Sequence, residues 1–249
     1  MSSSTNDLVA CGSGRVRCKV DRDDALMYVG YAGQELAGGL RGRFEELACR
    51  CEELCEVSYA WRVEEIDASS RFGELMPQVV LAGSGLVLEG ADISRHLSGA
   101  RYVAIFACTL GLACERELKR LGAVSALDHL LFDCCASSLA EAGAQSVQEI
   151  LGKEATELGL LAHARFSPGY GDLSLDVQPA FLDALDAGRR LGMTVTKNNF
   201  LLPTKSVTAV LGFFDDEVSY AVDPCSLCAA REYCCYLERG TTCRQRRAK

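Results

Sequence analysis

The sequence predicts an α+β fold, a largely antiparallel twisted sheet flanked by long helices, with a Cys-rich C-terminal tail. Three observations predict it. Residues 57–63, 102–107 and 206–214 are apolar or alternating runs of strand length. Residues 41–57 and 123–151 carry apolar side chains at three- and four-residue spacing over helical lengths. Gly83-Ser84-Gly85 interrupts a β-rich run in the manner of a hairpin turn.

In chain order, residues 1–21 are rich in Ser and Gly and read as a mobile arm. Asp24–Leu40 reads as a short helix stopped by Gly38-Gly39. Between Arg41 and Val57, the residues Phe44, Leu47, Ala48, Cys51, Leu54 and Cys55 share one face of an amphipathic helix, with the cysteines expected as small apolar residues. Val57, Tyr59, Trp61 and Val63 form one face of a half-buried strand, with Trp61 at a core edge. A hairpin over Gln78–Leu88, a short helix containing a structural His96, and the apolar strand Tyr102–Ala107 follow. Gly122 is expected to separate a helix over Glu115–Leu121 from a longer one reaching from Ala123 to about Leu151. On the longer helix Leu127, Leu130, Leu131, Cys134, Leu139, Ala142 and Ile150 mark a buried stripe, and small residues from Ala136 to Ala144 let a sheet approach closely. A helix before Gly192 turns Phe181, Leu182, Leu185 and Leu191 inward. The β-runs Met193–Thr196 and Ser206–Phe214 bracket Leu201-Leu202-Pro203, a loop expected beside the turn that begins at Arg165.

At 249 residues, 49% hydrophobic and 24% charged, the chain is long enough to bury its own core. A net charge of −8 argues against non-specific nucleic-acid binding, which needs a basic face. No apolar run reaches membrane-spanning length and the polar start Met1–Leu8 lacks a signal-peptide core, so a cytoplasmic protein with no membrane partner is expected. In that reducing setting fourteen cysteines read as packing, metal ligation or redox groups.

The turn is Arg165-Phe166-Ser167-Pro168-Gly169-Tyr170-Gly171-Asp172. Pro168 fixes its own φ and extends Ser167, while Gly169 admits positive φ, so the amides of Gly169, Tyr170 and Gly171 can converge on one ligand. Arg165 stands where a guanidinium would pair with a carboxylate or phosphate, and Tyr170 offers a ring and a hydroxyl. The plainer reading of the same residues is a β-turn with a solvated arginine.

Arg165–Tyr170, then Leu191-Gly192-Met193-Thr194-Val195-Thr196, then Leu202-Pro203-Thr204-Lys205-Ser206-Val207-Thr208-Ala209-Val210, together resemble the activation (reactivation) domain of cobalamin-dependent methionine synthase. In that family an Arg-x-x-Pro-Gly-Tyr turn is followed by a helix, a Gly-Met/Val-x-Leu-Thr strand and a Pro-x-x-Ser-Val-Ser-Gly strand. The resemblance covers residues 25–222 and is strongest from Ala136 to Phe214. None of the enzyme's catalytic modules accompanies it, so it is similar to the separate-chain form. It implies an activation-like domain over residues 22–222, between the arm and a tail over 223–249.

The resemblance further implies an accessory activation subunit of a methyltransferase. It would bind S-adenosylmethionine and support reductive methylation of cob(II)alamin held by a partner. That partner would be a methionine synthase or corrinoid methyltransferase lacking its own activation domain, served by flavodoxin or ferredoxin as electron donor in methionine biosynthesis. By the same resemblance Arg165 would bind the methionyl carboxylate, the Pro168-Gly169-Tyr170 turn would shape the adenosyl pocket, and Glu141 would face the ammonium group. No catalytic side chain is implied. The sequence departs from the family at Gly171-Asp172, where the fused enzymes often have a second proline.

The tail gathers Cys225, Cys228, Cys234, Cys235 and Cys243, five of the fourteen cysteines. A C-x2-C turn presents two thiolates to one metal, and Cys243 with Cys234 or Cys235 would complete the ligand set of an iron–sulfur cluster or zinc; free or redox-active thiols are the alternative. The tail is expected to add little to the main core. The competing function is a non-enzymatic iron–sulfur or zinc module that docks on a corrinoid protein and passes electrons without binding S-adenosylmethionine.

Overall fold

The computed structural model describes residues 8–31, 34, 38–215, 225, 231–238 and 240. Its centre is a five-stranded sheet, with β1 (Leu8–Val16), β2 (Val57–Glu65), β5 (Tyr102–Thr109), β9 (Ser206–Phe214) and β6 (Leu161–Ala162) side by side in that order. Every neighbouring pair is antiparallel. Two small sheets accompany it, β3 (Gln78–Val80) with β4 (Val87–Glu89) and β7 (Thr194–Val195) with β8 (Leu201–Leu202). The α+β class with an antiparallel sheet and long helices stands as expected.

Alternation along the strands sorts the core into two clusters. Ala104, Phe106 and Cys108 of β5 point to one face of the sheet, where Trp61 and Val63 of β2 join them. That face is covered by α1 (Arg22–Tyr28), α2 (Leu40–Leu54), α4 (Gly111–Val124) and α5 (Ala126–Glu157). Val103, Ile105 and Ala107 point the other way, against β3, β4, α3 (Ala91–Leu97), α6 (Gln178–Ala184) and α7 (Ala187–Leu191). The close approach expected of small residues on α5 is seen at Gly143, where a Cβ would lie 2.7 Å from Val57.

Several expectations are corrected. Residues 8–16, within the arm expected over residues 1–21, are an edge strand of the sheet. Its glycines serve packing: a Cβ on Gly12 would sit 2.7 Å from the Trp61 ring and one on Gly14 would sit 2.8 Å from the Tyr59 hydroxyl. The first helix ends at Tyr28, before a left-handed Gly30, well short of Gly38. Gly122 lies inside α4; the break falls at Ser125, whose hydroxyl accepts the Asp128 amide at 3.2 Å and caps α5. Leu127 and Leu130, expected in the buried stripe, are about half exposed, as is Leu54 to a lesser degree. The helix expected before Gly192 is two, broken at a left-handed Asp186. The Pro203 loop is fastened to α4, where Glu115 accepts the Thr204 amide at 3.0 Å and its hydroxyl at 2.8 Å.

The tail is corrected in part. Tyr236 on α8 (Cys235–Glu238) is buried, and its hydroxyl donates at 2.9 Å to the buried carboxylate of Asp24 on α1. This part of the tail therefore packs on α1, against the expectation of a tail that adds little to the core. The expected boundary at residue 222 lies outside the described residues. Among those residues no helix is long and apolar enough to cross a membrane.

Candidate functional site

The segment after β6 stays beside β9: Phe166 and Val210 exchange both backbone hydrogen bonds at 2.8 Å. This register turns Arg165 towards α5. Its Nη2 donates to Glu141 Oε2 at 2.6 Å and its Nη1 to Gln145 Oε1 at 3.4 Å, while its backbone amide donates to Gln148 Oε1 at 3.4 Å. The Arg165 side chain is 13% exposed and that of Glu141 is 29% exposed. A pair so screened from water interacts more strongly than a surface ion pair, and each partner offsets the other's cost of burial.

Other groups gather around this pair. Burial pushes the Cys108 thiol at the end of β5 up to about 12, with Arg165 pulling it down and Glu141 pushing it up, so both charges act on the same strand end. The connection from β1 to α1 passes alongside: Cys18 Sγ lies 3.5 Å from Ser146 Oγ, the Asp21 amide donates to Ser138 Oγ at 3.0 Å, and that hydroxyl donates back to the Asp21 carbonyl at 3.1 Å. The arrangement presents one cation and one anion side by side, a match for the carboxylate and ammonium of an α-amino acid.

The turn itself is built differently from the sequence expectation. The Gly169 amide donates to the Leu173 carbonyl at 2.8 Å and the Tyr170 amide to the Ser167 carbonyl at 3.0 Å, so both are spent inside the turn. Gly169 holds φ 91°, as expected of its position, Pro168 is buried, and Tyr170 is half exposed with its ring edge-on to Phe166 at 6.0 Å. Asp172, where the sequence departs from the family pattern, caps α3: its carboxylate accepts the amides of Ala91 at 2.6 Å and Asp92 at 3.0 Å.

The three histidines are engaged in packing. His96 lies against Phe166 with ring centroids 5.1 Å apart, His129 Nδ1 meets the Leu118 carbonyl at 2.9 Å, and His163 stacks on Phe214 at 3.9 Å, with its pKa lowered by burial. In the tail, Cys225 and Cys234 are partly buried; Cys228, Cys243 and the side chain of Cys235 lie outside the described residues. Among the described residues no group of three or more His, Cys, Asp or Glu side chains is disposed to hold a metal.

Cavity volume alone points elsewhere. A cavity of about 340 Å³ beside Arg62, Ser84 and Asp183, and one of about 100 Å³ beside Trp61 and Arg190, lie around β2, the Gly83–Leu86 turn and the α6–α7 corner, apart from Arg165. Arg62 and Ala184 line both, and Arg62 is held structurally: its Nε sits 2.7 Å from the fully buried Glu64, which accepts the Ser84 amide and hydroxyl at 2.8 Å each and fastens the hairpin turn to the sheet. The Arg165 site is closed instead by its own pair.

Sequence reading named Arg165 and Glu141, and the structure brings them together. It missed Gln145, Gln148, Cys108 and the Cys18–Asp21 connection. A signal for Gln145 was present, because Glu141 and Gln145 are four apart on one helix face.

With this geometry in view, the chain shows the fold of a known domain. It aligns with the crystal structure of the MetH reactivation domain bound to AdoHcy at a TM-score of 0.58 and 16% sequence identity, over 98% of this chain and 90% of that chain. No protein-family model matches the chain, and no curated protein matches it.

Proposed function

We propose that the chain is an S-adenosylmethionine-binding reactivation subunit acting on a cobalamin-dependent methyltransferase that lacks its own activation domain. The observation that carries this reading is the half-buried Arg165–Glu141 pair, set in the fold of a domain whose crystal structure holds AdoHcy. Arg165 takes the methionyl carboxylate and Glu141 takes the ammonium group, so one zwitterion replaces the contacts that the two side chains make with each other. Gln145 stays on the guanidinium and keeps it oriented. The Pro168–Tyr170 turn, rigid because its amides bond within it, sets the position of the Tyr170 ring beside the ligand. The subunit contributes positioning: it holds the sulfonium methyl for transfer to the partner's reduced cobalamin, with one electron from a flavodoxin or ferredoxin and S-adenosylhomocysteine as the leaving product.

The test mixes the chain with the partner in its Co(II) form, S-adenosylmethionine and a low-potential reductant, and follows the visible spectrum. Conversion to the methylated form that depends on both the chain and S-adenosylmethionine is the expected result. Equal conversion without the chain overturns the proposal.

A further inference from the structure

One face of α5 carries a polar residue at every fourth position: Asp133, Ser137, Glu141 and Gln145. Four-residue spacing stacks these side chains in a row. All four are partly exposed, whereas Phe132, Ala136, Ala140 and Ala144, each one position earlier, are buried. Arg165 meets one end of the row, at Glu141 and Gln145. Lys205 meets the other: its Nζ lies 2.8 Å from Asp133 Oδ1 and donates to Ser137 Oγ at 2.8 Å. Lys205 is 14% exposed, and its neighbour Ser206 is fixed to β5 by a 2.7 Å hydrogen bond to Thr109. Between the two ends lies the β5–β9 rung that pairs Cys108 with Val207, and Val207 packs against the same core cluster as α5.

We propose that Asp133, Ser137 and Lys205 form a second polar subsite along α5, which takes the hydroxyl-bearing far end of the ligand whose amino-acid end meets Arg165 and Glu141. This deepens the S-adenosylmethionine reading and rests on it. A helical rise of about 1.5 Å per residue sets Ser137 roughly 6 Å and Asp133 roughly 12 Å from Glu141 along the axis. An elongated ligand with a carboxylate at one end and hydroxyls at the other spans that row. The chemistry suits a vicinal diol. An ammonium has three N–H donors, and two of those on Lys205 are directed at Asp133 and Ser137. The Ser137 hydroxyl accepts from Lys205 and retains its own O–H to donate, and Asp133 has a second carboxylate oxygen to accept. Lys205 and Asp133 cancel in charge, so the subsite favours uncharged ribose hydroxyls over a phosphate. Nucleosides are preferred to nucleotides on this account.

The experiment is a calorimetric titration of the full chain with S-adenosylmethionine and with its 2′-deoxyribose analogue, repeated on Ser137→Ala, Lys205→Met and Arg165→Ala. A site built to bond a hydroxyl discriminates against the ligand that lacks it. The unaltered chain is expected to prefer the hydroxylated ligand by about tenfold, the effect of a hydrogen bond to a charged donor. Ser137→Ala and Lys205→Met should each shrink that preference, and Arg165→Ala should weaken both ligands equally and leave the preference intact. Ser137→Ala removes one oxygen from a partly exposed position, so it reports even where Lys205→Met is poorly folded. A preference that is absent from the unaltered chain, or unchanged in Ser137→Ala, overturns the subsite while leaving the role of Arg165 standing. Failure of S-adenosylmethionine to bind the unaltered chain overturns both.

Discussion

The carboxylate of Asp172 accepts the backbone amide of Ala91 at 2.6 Å, capping a helix that begins 81 residues earlier in the chain. The cap has to come from outside because the position before α3 is Gly90, at φ 140°, where a Cβ would lie 2.4 Å from Asp172 Oδ1. The same carboxylate ties the turn after Arg165 to α3, so the departure from the family pattern has a structural role. Asp172→Ala should cost about 1–2 kcal/mol, the usual effect of losing an N-cap. Gly90→Ala should cost more, through both the backbone conformation and the clash. Urea unfolding of the two variants decides this, and wild-type stability in Asp172→Ala would count against the cap.

Arg165→Ala should weaken S-adenosylmethionine binding by about 1.5–3 kcal/mol, the value of a charge-assisted hydrogen bond. Glu141→Gln should weaken it less, because the amide still accepts from Arg165 and from the ligand's ammonium group. Calorimetry on both variants checks the order. Equal affinity in Arg165→Ala and the unaltered chain would remove Arg165 from the site.

Glu117 on α4 predicts an acid dependence. Its carboxylate accepts from Arg120 at 2.8 and 2.9 Å and from Arg50 at 2.5 Å, and these guanidinium groups hold its pKa down at about 2. The folded value lies below the unfolded value of about 4.3. Stability from this carboxylate is therefore fully present above about pH 4.3 and is lost as pH falls towards 2. Both arginines are about half exposed, so the contribution is on the order of 1 kcal/mol. In urea unfolding at pH 7 and pH 3, Glu117→Gln should narrow the gap between the two conditions by that amount. An unchanged gap would contradict the assignment.

The buried cysteines should behave as packing groups. Burial pushes the thiols of Cys108 and Cys135 up to about 12 and that of Cys134 to about 11. Cys55 is likewise pushed up to about 12: its contact with Cys114 lowers it, but the contact with Cys51 and burial outweigh that. Thiolates react and thiols do not. In the native chain at pH 8, iodoacetamide should modify the exposed Cys11 and Cys49 quickly and reach Cys108 and Cys135 only on unfolding. Peptide mass spectrometry reads the result, and labelling of Cys135 at the rate of Cys49 would refute it.

Tyr236→Phe should cost about 1–2 kcal/mol, since it removes a hydrogen bond from a buried carboxylate. Amide exchange should quicken in α1 as well as in α8. Loss of protection confined to α8 would show that the two do not act together.

Much of what near neighbours in the chain determine was legible, although Leu54, Leu127 and Leu130 carry the same periodicity and are exposed. The helical face of Phe44, Leu47, Ala48 and Cys51 and the alternation through Trp61 and Val63 are both local periodicities, and both are buried as read. Ser125 as a cap was within reach too, since it stands three residues before Asp128 at the head of a periodic segment. What escaped depends on distant partners. Gly12 and Gly14 look like flexible spacers until Trp61 and Tyr59 are laid over them. Asp172 looks like a turn residue until Gly90 leaves α3 uncapped. Gln148 and Cys108 enter the candidate site only because β5, β6, β9 and α5 converge, which no single segment announces.

The bond from Tyr236 to Asp24 joins residues 212 apart, so it also orders events during synthesis. At about 5–20 residues per second, the first helix waits roughly ten to forty seconds for the tyrosine that completes its contacts. Until then its buried carboxylate lacks that donor, and the layer of helices over the sheet is unfinished at its first member. A premature stop anywhere between Asp215 and Tyr236 would leave every described strand of the sheet in place. Its damage would appear 212 residues earlier in the chain, in α1.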